Sequence, residues 1–220
     1  MDETADPDPT DCRSTRHRPP SDRQDDDRAA TDRAATGRAA NARPEGPRST
    51  VRRATPADAA LIAELGEITF RQAFADANRP EDLALYLAKA YGAAQQAAEL
   101  ADPSVVYLVG EVGGRPTGFA MLRRGASDPA VAGPDPVELV RIYVARAALG
   151  TGLGSALMEA CIAEAVRGGH RTLWLGVWEQ NHRALAFYRR WGFVDVGSHI
   201  FTVGTDPQTD RVLTLALPPP

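Results

Sequence analysis

From Val51 onward the chain switches between two hydrophobic periods, and their order outlines a fold. Val51-Arg52-Arg53 reads as a short strand. Thr55-Pro56-Ala57-Asp58 has the chemistry of a helix start, with Thr55 as N-cap, Pro56 in the first turn and Asp58 near the positive end. Leu61, Ile62, Leu65 and Ile68 then recur at helical spacing, and the helix runs to about Phe74. Asn78-Arg79-Pro80 breaks the chain. A second helical region starts at Glu81 and carries Leu83, Tyr86 and Leu87, and a third segment occupies 93–100. Residues 105–109 and 118–122 are apolar runs of strand length turned on Gly113-Gly114, which predicts a hairpin. The loop 125–136 has three prolines and is expected to stay irregular.

The next stretch organises the rest. Val140, Ile142 and Val144 alternate with Leu139, Arg141 and Tyr143, as in a strand covered at least partly on both faces. After 145–149 come Gly150-Thr151-Gly152-Leu153-Gly154-Ser155, and Leu153, Ala156, Leu157, Ala160 and Cys161 follow at helical spacing. A helix therefore begins near Gly152, and Gly168-Gly169 stops it. Residues 172–177 form the next strand. Asn181 caps a helix carrying Ala184, Phe187, Tyr188 and Trp191, which Gly192 ends, and 193–203 and 211–217 close the chain as two strands. The predicted order is β-α-α-β-β-β-α-β-α-β-β, an α/β fold with a mixed sheet and helices on both faces.

Composition changes the picture only at the N-terminus. The first fifty residues lack apolar periodicity and hold 11 acids and 9 arginines, which leaves 18 of 29 acids and 16 of 25 bases for the remainder. Such a segment buries too little to offset its ordering entropy, so 1–48 are expected to form a disordered arm ahead of one domain over 49–220. The arm has no signal-peptide core, and its Asp-Arg-Ala-Ala echoes are low complexity. Neither piece has a basic excess, which argues against nucleic-acid binding, and no apolar run is long enough to span a membrane. With only Cys12 and Cys161, neither a disulfide framework nor a cysteine zinc site is expected, nor is any metal. The expectation is a cytoplasmic protein.

Glycines at a helix start let an anion approach unpaired N–H groups and the positive end of the helix. The stretch lacks the lysine of a Walker loop, and Ser155 replaces the third glycine of a dinucleotide fingerprint. Leu149-Gly150-Thr151-Gly152-Leu153-Gly154 instead resembles the coenzyme A pyrophosphate loop of the GNAT family of N-acetyltransferases, Q/R-x-x-G-x-G/A. It departs at Leu149, where Gln or Arg is usual. Asn181-x-x-Ala184-x-x-Phe187-Tyr188-x-x-x-Gly192-Phe193 resembles a second block of that family, and the element order is the family's order. Together the likeness covers about residues 50–217. It implies a mostly antiparallel sheet, acetyl-CoA as cosubstrate, and direct transfer to a small-molecule amine in a ternary complex. Dimerisation is also implied. Residues 174–181 and the pattern Gly197-x-His199-x-Phe201-x-x-Gly204-x-x-x-Gln208-Thr209-Asp210 look more narrowly like the bacterial spermidine/spermine acetyltransferases, which points to a polyamine acceptor. The alternatives are an enzyme for a protein N-terminus or an aminoglycoside-like amine, or a coenzyme A sensor without turnover.

The resemblance also assigns roles. Leu149, Gly150, Thr151, Gly152, Leu153, Gly154 and Ser155 would hold the pyrophosphate, and the backbone of Ile142, Tyr143 and Val144 the pantetheine arm, with the Val144 N–H polarising the thioester carbonyl. Asn181 and Tyr188 would face the cofactor, and Tyr188 lies at the position of the tyrosine that protonates the leaving thiolate. A primary amine is mostly charged at neutral pH, so a base helps. Glu138 is the leading base, against the plainer reading of a carboxylate paired with Arg141. Glu179 is the second choice, and Asp76 or Glu81 would draw a cationic acceptor. Arg146 reads as a solvated arginine or a contact for the 3′-phosphate. His182 and His199 read as ordinary polar or core residues.

Overall fold

The computed structural model describes residues 48–219. Seven strands form one sheet: β1 (Ser49–Arg53), β2 (Val105–Val112), β3 (Arg115–Arg124), β4 (Pro136–Val144), β5 (Thr172–Trp178), β6 (Val194–Val203) and β7 (Asp206–Ala216). Their spatial order is β1-β2-β3-β4-β5-β7-β6. Every neighbouring pair is antiparallel except β4 and β5. A parallel pair needs a long crossover. The connection here is α4 (Leu153–Arg167), which follows the glycine stretch, while α5 (His182–Arg190) joins β5 to β6. Three helices stand between β1 and β2: α1 (Ala59–Phe74), α2 (Pro80–Ala90) and α3 (Ala93–Ala101). The mixed α/β architecture is the one the hydrophobic pattern outlines.

Two apolar layers cover the sheet. On one face Leu153, Leu157 and Cys161 of α4 and Leu185 of α5 pack on Leu139, Leu173, Leu175 and Leu213. On the other, Ile62 and Phe70 of α1 and Leu83 and Leu87 of α2 pack on Val109, Phe119 and Met121. α1 starts where its sequence signals it: the Thr55 N–H and hydroxyl both donate to Asp58 Oδ2, at 2.7 and 3.0 Å, after which a single 3-10 turn leads into the helix.

Two departures have physical causes. α3 is a third full helix, faint in the apolar pattern because what it buries is polar. Gln96 is fully buried and Glu99 nearly so, and Gln96 Nε2 donates to the Ala90 carbonyl at 2.8 Å. The last strand starts at Asp206, five residues earlier than its apolar run, because β6 turns into it at Gly204-Thr205. Pro207 is tolerated there because β5 pairs with β7 only from Asp210 onward, so at that level β7 has one ladder neighbour. The arm expected over 1–48 lies, apart from Arg48, outside the described residues, and Cys12 with it.

Candidate active site

The glycine stretch has the backbone its sequence requires. Gly150 and Gly152 sit at φ +82° and +86°, a left-handed region that costs any residue with a Cβ. Gly152 is the N-cap of α4 and Thr151 folds back, its hydroxyl donating to the Ala148 carbonyl at 2.7 Å. The first-turn N–H groups of α4, from Leu153 through Gly154 and Ser155, have no carbonyl one turn before them and are left as free donors at the positive end of the helix. Gly150, Thr151 and Gly152 are exposed, and Leu149 is 40 % exposed, so its side chain presents no charge to that end. Three elements come near one another at Gly154, with room left for a Cβ. A Cβ there would stand 3.9 Å from the Phe187 ring of α5 and 4.0 Å from the Val144 side chain of β4.

The sheet is split beside this loop. β4 and β5 pair at Pro136–Thr172, Val137–Leu173 and Glu138–Trp174, and no further. From Leu139 to Val144 the β5 side of β4 has no ladder partner, which opens a V-shaped seam edged by Ile142, Tyr143 and Val144. β4 also carries a bulge: Leu122 faces Leu139 and Met121 faces Arg141, so Val140 is the extra residue. The bulge reverses the alternation. Val137 and Leu139 point to the α4 layer, and Glu138 points to the other. Beyond the bulge Arg141 joins Glu138 on the α1–α3 side.

Arg141 does not pair with Glu138. Its Nη1 donates to Glu99 Oε2 at 2.8 Å, with Tyr107 bonding the same carboxylate, in a nearly closed pocket. Among the described residues Glu138 has no ion pair and no hydrogen bond, so the pairing with Arg141 weighed from the sequence does not occur. Burial pushes the Glu138 carboxyl above its usual range, opposed by the positive charges of Arg123, His199 and Arg141. Glu138 is thus a half-buried, unpaired carboxylate at the last ladder pair before the seam opens.

Tyr188 lies on the other side of the sheet. It is 8 % exposed, packed edge-on against Phe187 and Phe193, and its neighbour in α4 is Cys161. Burial raises its phenol well above the ordinary tyrosine value, so the hydroxyl keeps its proton. It is a core aromatic whose hydroxyl stays protonated. Asn181 caps α5, its Oδ1 accepting from the Ala184 N–H at 3.1 Å, which fixes the helix that carries Tyr188.

The α1–α3 side of the seam holds residues to which the sequence gives no individual role beyond their place in the narrower resemblance. On β5 the side chains on this face are Trp174, Gly176 and Trp178. The Phe74 ring at the end of α1 lies edge-on to Trp178, centroids 6.2 Å apart. His199 of β6 is not an ordinary core histidine: its Nδ1 is 2.8 Å from Asp128 Oδ2, so the proline-containing loop supplies its partner. Beside it on β7 is Asp210, buried and unpaired among the described residues. A buried charge in a strand marks such a site, but Asp210 falls just before the apolar run that signals β7. Two clamps roof this side. Asp82 of α2 accepts from the Thr205 N–H and hydroxyl, both at 2.7 Å, and Gln208 Nε2 donates to Asn78 Oδ1 at 2.6 Å.

The other candidates sit apart. Arg146 is exposed and bound to α1, its N–H donating to Gln72 Oε1 at 2.8 Å and its Nη2 to the Gln72 carbonyl at 3.0 Å. Glu179, Asp76, Glu81 and His182 are all exposed. Among the described residues no group of three metal-ligating side chains is arranged to hold an ion, and no helix is long and apolar enough to cross a membrane. A hollow of about 230 Å3, lined in part by Arg53, Val106, Val137, Glu164 and His170, opens at the far end of β4 from the glycine loop.

Comparison with known proteins agrees with this geometry. The acetyltransferase (GNAT) family model matches residues 69–193, more than half of the chain. An uncharacterized N-acetyltransferase of Lactobacillus delbrueckii subsp. lactis is 33 % identical over 149 residues, covering 68 % of this chain and 86 % of its own. One from Mycobacterium bovis is 34 % identical over 160 residues, covering 73 % and 98 %. Among solved structures, PaiA N-acetyltransferase of Thermoplasma acidophilum in complex with coenzyme A superposes with a TM-score of 0.60 at 16 % identity, covering 77 % of this chain and 99 % of its own. The putative acetyltransferase YncA of Salmonella typhimurium, with its cofactor acetyl-CoA, gives 0.58 at 23 % identity, covering 77 % and 94 %. The chain belongs to the GNAT family of acetyltransferases and is an N-acetyltransferase of that type.

Proposed function

We propose that the protein transfers the acetyl group of acetyl-CoA directly to a primary amine on a cationic acceptor, a polyamine such as spermidine or spermine. One observation carries the reading. The seam between β4 and β5 is open to both faces of the sheet, with Tyr188 on one side and Glu138 on the other. Donor and acceptor then occupy opposite sides and meet at the seam, which is what direct transfer in a ternary complex requires.

The residues fit the donor. The left-handed glycines and first-turn amides of α4 suit a pyrophosphate, and the unpaired edge from Leu139 to Val144 suits an arm that adds as a strand. Leu149 supplies no side-chain donor, so the anion rests on backbone N–H groups. Bound acetyl-CoA supplies the thioester whose carbonyl carbon the amine attacks, forming a C–N bond as the C–S bond breaks. Glu138 takes a proton from the incoming ammonium, directly or through water, and the second N–H proton passes to water as the amide forms. Tyr188 gives its proton to the departing sulfur and regains one from solvent. The Val144 N–H, on the open edge, stabilises charge gathering on the carbonyl oxygen.

Support for a cationic acceptor comes from the far side of the seam. Glu138 and Asp210 are carboxylates on one face, and Phe74, Trp178, Tyr86 and Phe201 supply aromatic walls. Carboxylates with aromatic faces attract ammonium groups. The test is thiol release from acetyl-CoA on addition of a panel of primary amines, with acetyl-CoA binding followed by calorimetry. Turnover highest with spermidine or spermine is the expected result. Binding without thiol release from any amine would make the protein a coenzyme A sensor and overturn the reading.

A further inference from the structure

The loop between β3 and β4 is strapped across the sheet on the Glu138 side. Trp174 Nε1 donates to the Ala126 carbonyl at 3.4 Å, and a Cβ placed on Gly197 of β6 would stand 2.8 Å from that of Ala130. Between these two contacts the loop delivers Asp128 to His199. The Ala130 N–H donates to Asp128 Oδ1 at 2.9 Å, and Oδ2 lies 2.8 Å from His199 Nδ1. Burial would raise this carboxyl, but the Ala130 N–H and the imidazole hold it below its ordinary value, so it stays ionised. An ionised carboxylate only accepts, so Nδ1 carries the hydrogen and Nε2 of the neutral ring keeps its lone pair.

Nε2 makes no hydrogen bond among the described residues, and the side chain is 31 % exposed. Its place is set by Gly176 of β5. A Cβ there would lie 2.9 Å from Nε2, so the ring reaches across β7 only because glycine leaves the way clear. Gly176 is two residues beyond Trp174, the last β5 residue paired with β4, which puts Nε2 on the β5 lip of the seam. Two residues are about 7 Å along a strand from the level of Glu138. Positive charge on His199 acts on the Glu138 carboxyl across that interval.

A single base leaves the reaction short of a proton acceptor. A primary ammonium sheds two protons in becoming an amide, and Glu138 takes one. The second comes off after attack, when the nitrogen is cationic again. Until it goes, the nitrogen competes with sulfur as the leaving group.

We propose that His199, oriented by Asp128, takes this second proton through a bridging water. The inference rests on the N-acetyltransferase reading above and adds a second proton acceptor to it. Of the three ammonium protons, one stays in the amide, one goes to Glu138 and one to His199 Nε2. The C–N bond forms, the C–S bond breaks, and the sulfur leaves with the Tyr188 proton. Glu138 and His199 then each release a proton to solvent and Tyr188 regains one, a net release of one per turnover. The imidazolium is faced by carboxylates from three elements, Asp128 of the loop, Asp210 of β7 and Glu138 of β4, which favour its charge. Asp128 is a positioning residue, acting through the ring.

The experiment follows thiol release from acetyl-CoA with the fastest primary amine of the panel, with and without added imidazole. The proteins are the wild type, His199→Ala, Asp128→Asn and Gly176→Ala. His199→Ala should lower kcat about 100-fold with KM for acetyl-CoA unchanged, and imidazole should recover about tenfold of that loss from the vacated place. Asp128→Asn keeps the shape but frees the tautomer, and Gly176→Ala pushes the ring off the lip. Both should lower kcat about tenfold, and imidazole should not help while the ring is present. Unchanged kcat in His199→Ala overturns the relay while the N-acetyltransferase reading stands. A loss that imidazole leaves untouched in a variant melting like the wild type also overturns it, since pinning the loop alone predicts that. If His199→Ala melts early, normal kcat in Asp128→Asn and Gly176→Ala overturns it instead. Absence of thiol release with every amine overturns the underlying reading, and the relay with it.

Discussion

Glu138 and Arg141 stand three residues apart on β4 and face the same side of the sheet, yet Arg141 Nη1 bonds Glu99 Oε2 at 2.8 Å and leaves Glu138 without a counter-ion. On a regular strand the two would point to opposite faces. The extra residue at Val140 brings them to one face, and α3 then supplies the competing carboxylate. The arginine helps fix the sheet under α3, while the glutamate faces the seam.

Replacing Glu138 with Gln should lower kcat/KM by about 100-fold, the usual share of a general base. Because burial raises the folded carboxyl above its ordinary value, the base is formed only at pH above that raised value. The acid limb of kcat/KM should therefore lie above the ordinary glutamate range and vanish in Glu138→Gln. Steady-state rates across pH check both points.

Arg141→Met removes the nearer of the two arginines on Glu99 and leaves Arg123, 3.6 Å from Oε1, with the hydrogen bonds from Gln95 and Tyr107, so stability should drop by about 2 kcal/mol. Adding Glu99→Gln should recover part of that loss. Urea unfolding of the single and double variants measures it.

Gly152→Asp should weaken acetyl-CoA binding about 100-fold, a difference of nearly 3 kcal/mol. The carboxylate repels the pyrophosphate, and φ of +86° strains the replaced residue by about 1 kcal/mol. A Cβ at that position meets nothing within 4 Å, so the fold should persist. Calorimetry with acetyl-CoA and a thermal melt give the two numbers.

Tyr188→Phe removes one hydroxyl from a side chain packed on Phe187 and Phe193. Turnover should fall about 100-fold while the melting temperature moves little. A large loss of stability with normal turnover per folded molecule would mean that the hydroxyl serves packing alone.

Asp210→Asn should stabilise the protein near neutral pH, by several degrees in Tm. The folded carboxyl has a pKa of about 6 against an ordinary 3.8, so above 6 the native state bears an unpaired buried charge. Below about pH 4 the group is protonated folded and unfolded, and the difference disappears. The gain over wild type should grow from pH 4 to 6 and then level off. Thermal melts across that range check the sign.

Local chemistry determined much of this protein from the sequence alone. The positive φ values at Gly150 and Gly152 follow from glycine being the residue that reaches them cheaply, and the α4 start follows from the apolar spacing after them. The α5 cap follows from Asn181. Strand existence followed from runs that bury in alternation. The tertiary structure decided what depends on contacts distant in the chain. The bulge at Val140 is set by pairing with Met121 and Leu122, and no spacing within β4 reveals it. Glu99 takes Arg141 across 42 residues, and Asp128 takes His199 across 71. α3 was faint because its buried face is Gln96 and Glu99, satisfied only once Tyr107 and Arg141 are beside them. For the same reason Asp210 is legible in the sequence only as one position of a resemblance. A carboxylate shows itself as buried and unpaired only after β5, β6 and α2 close around it.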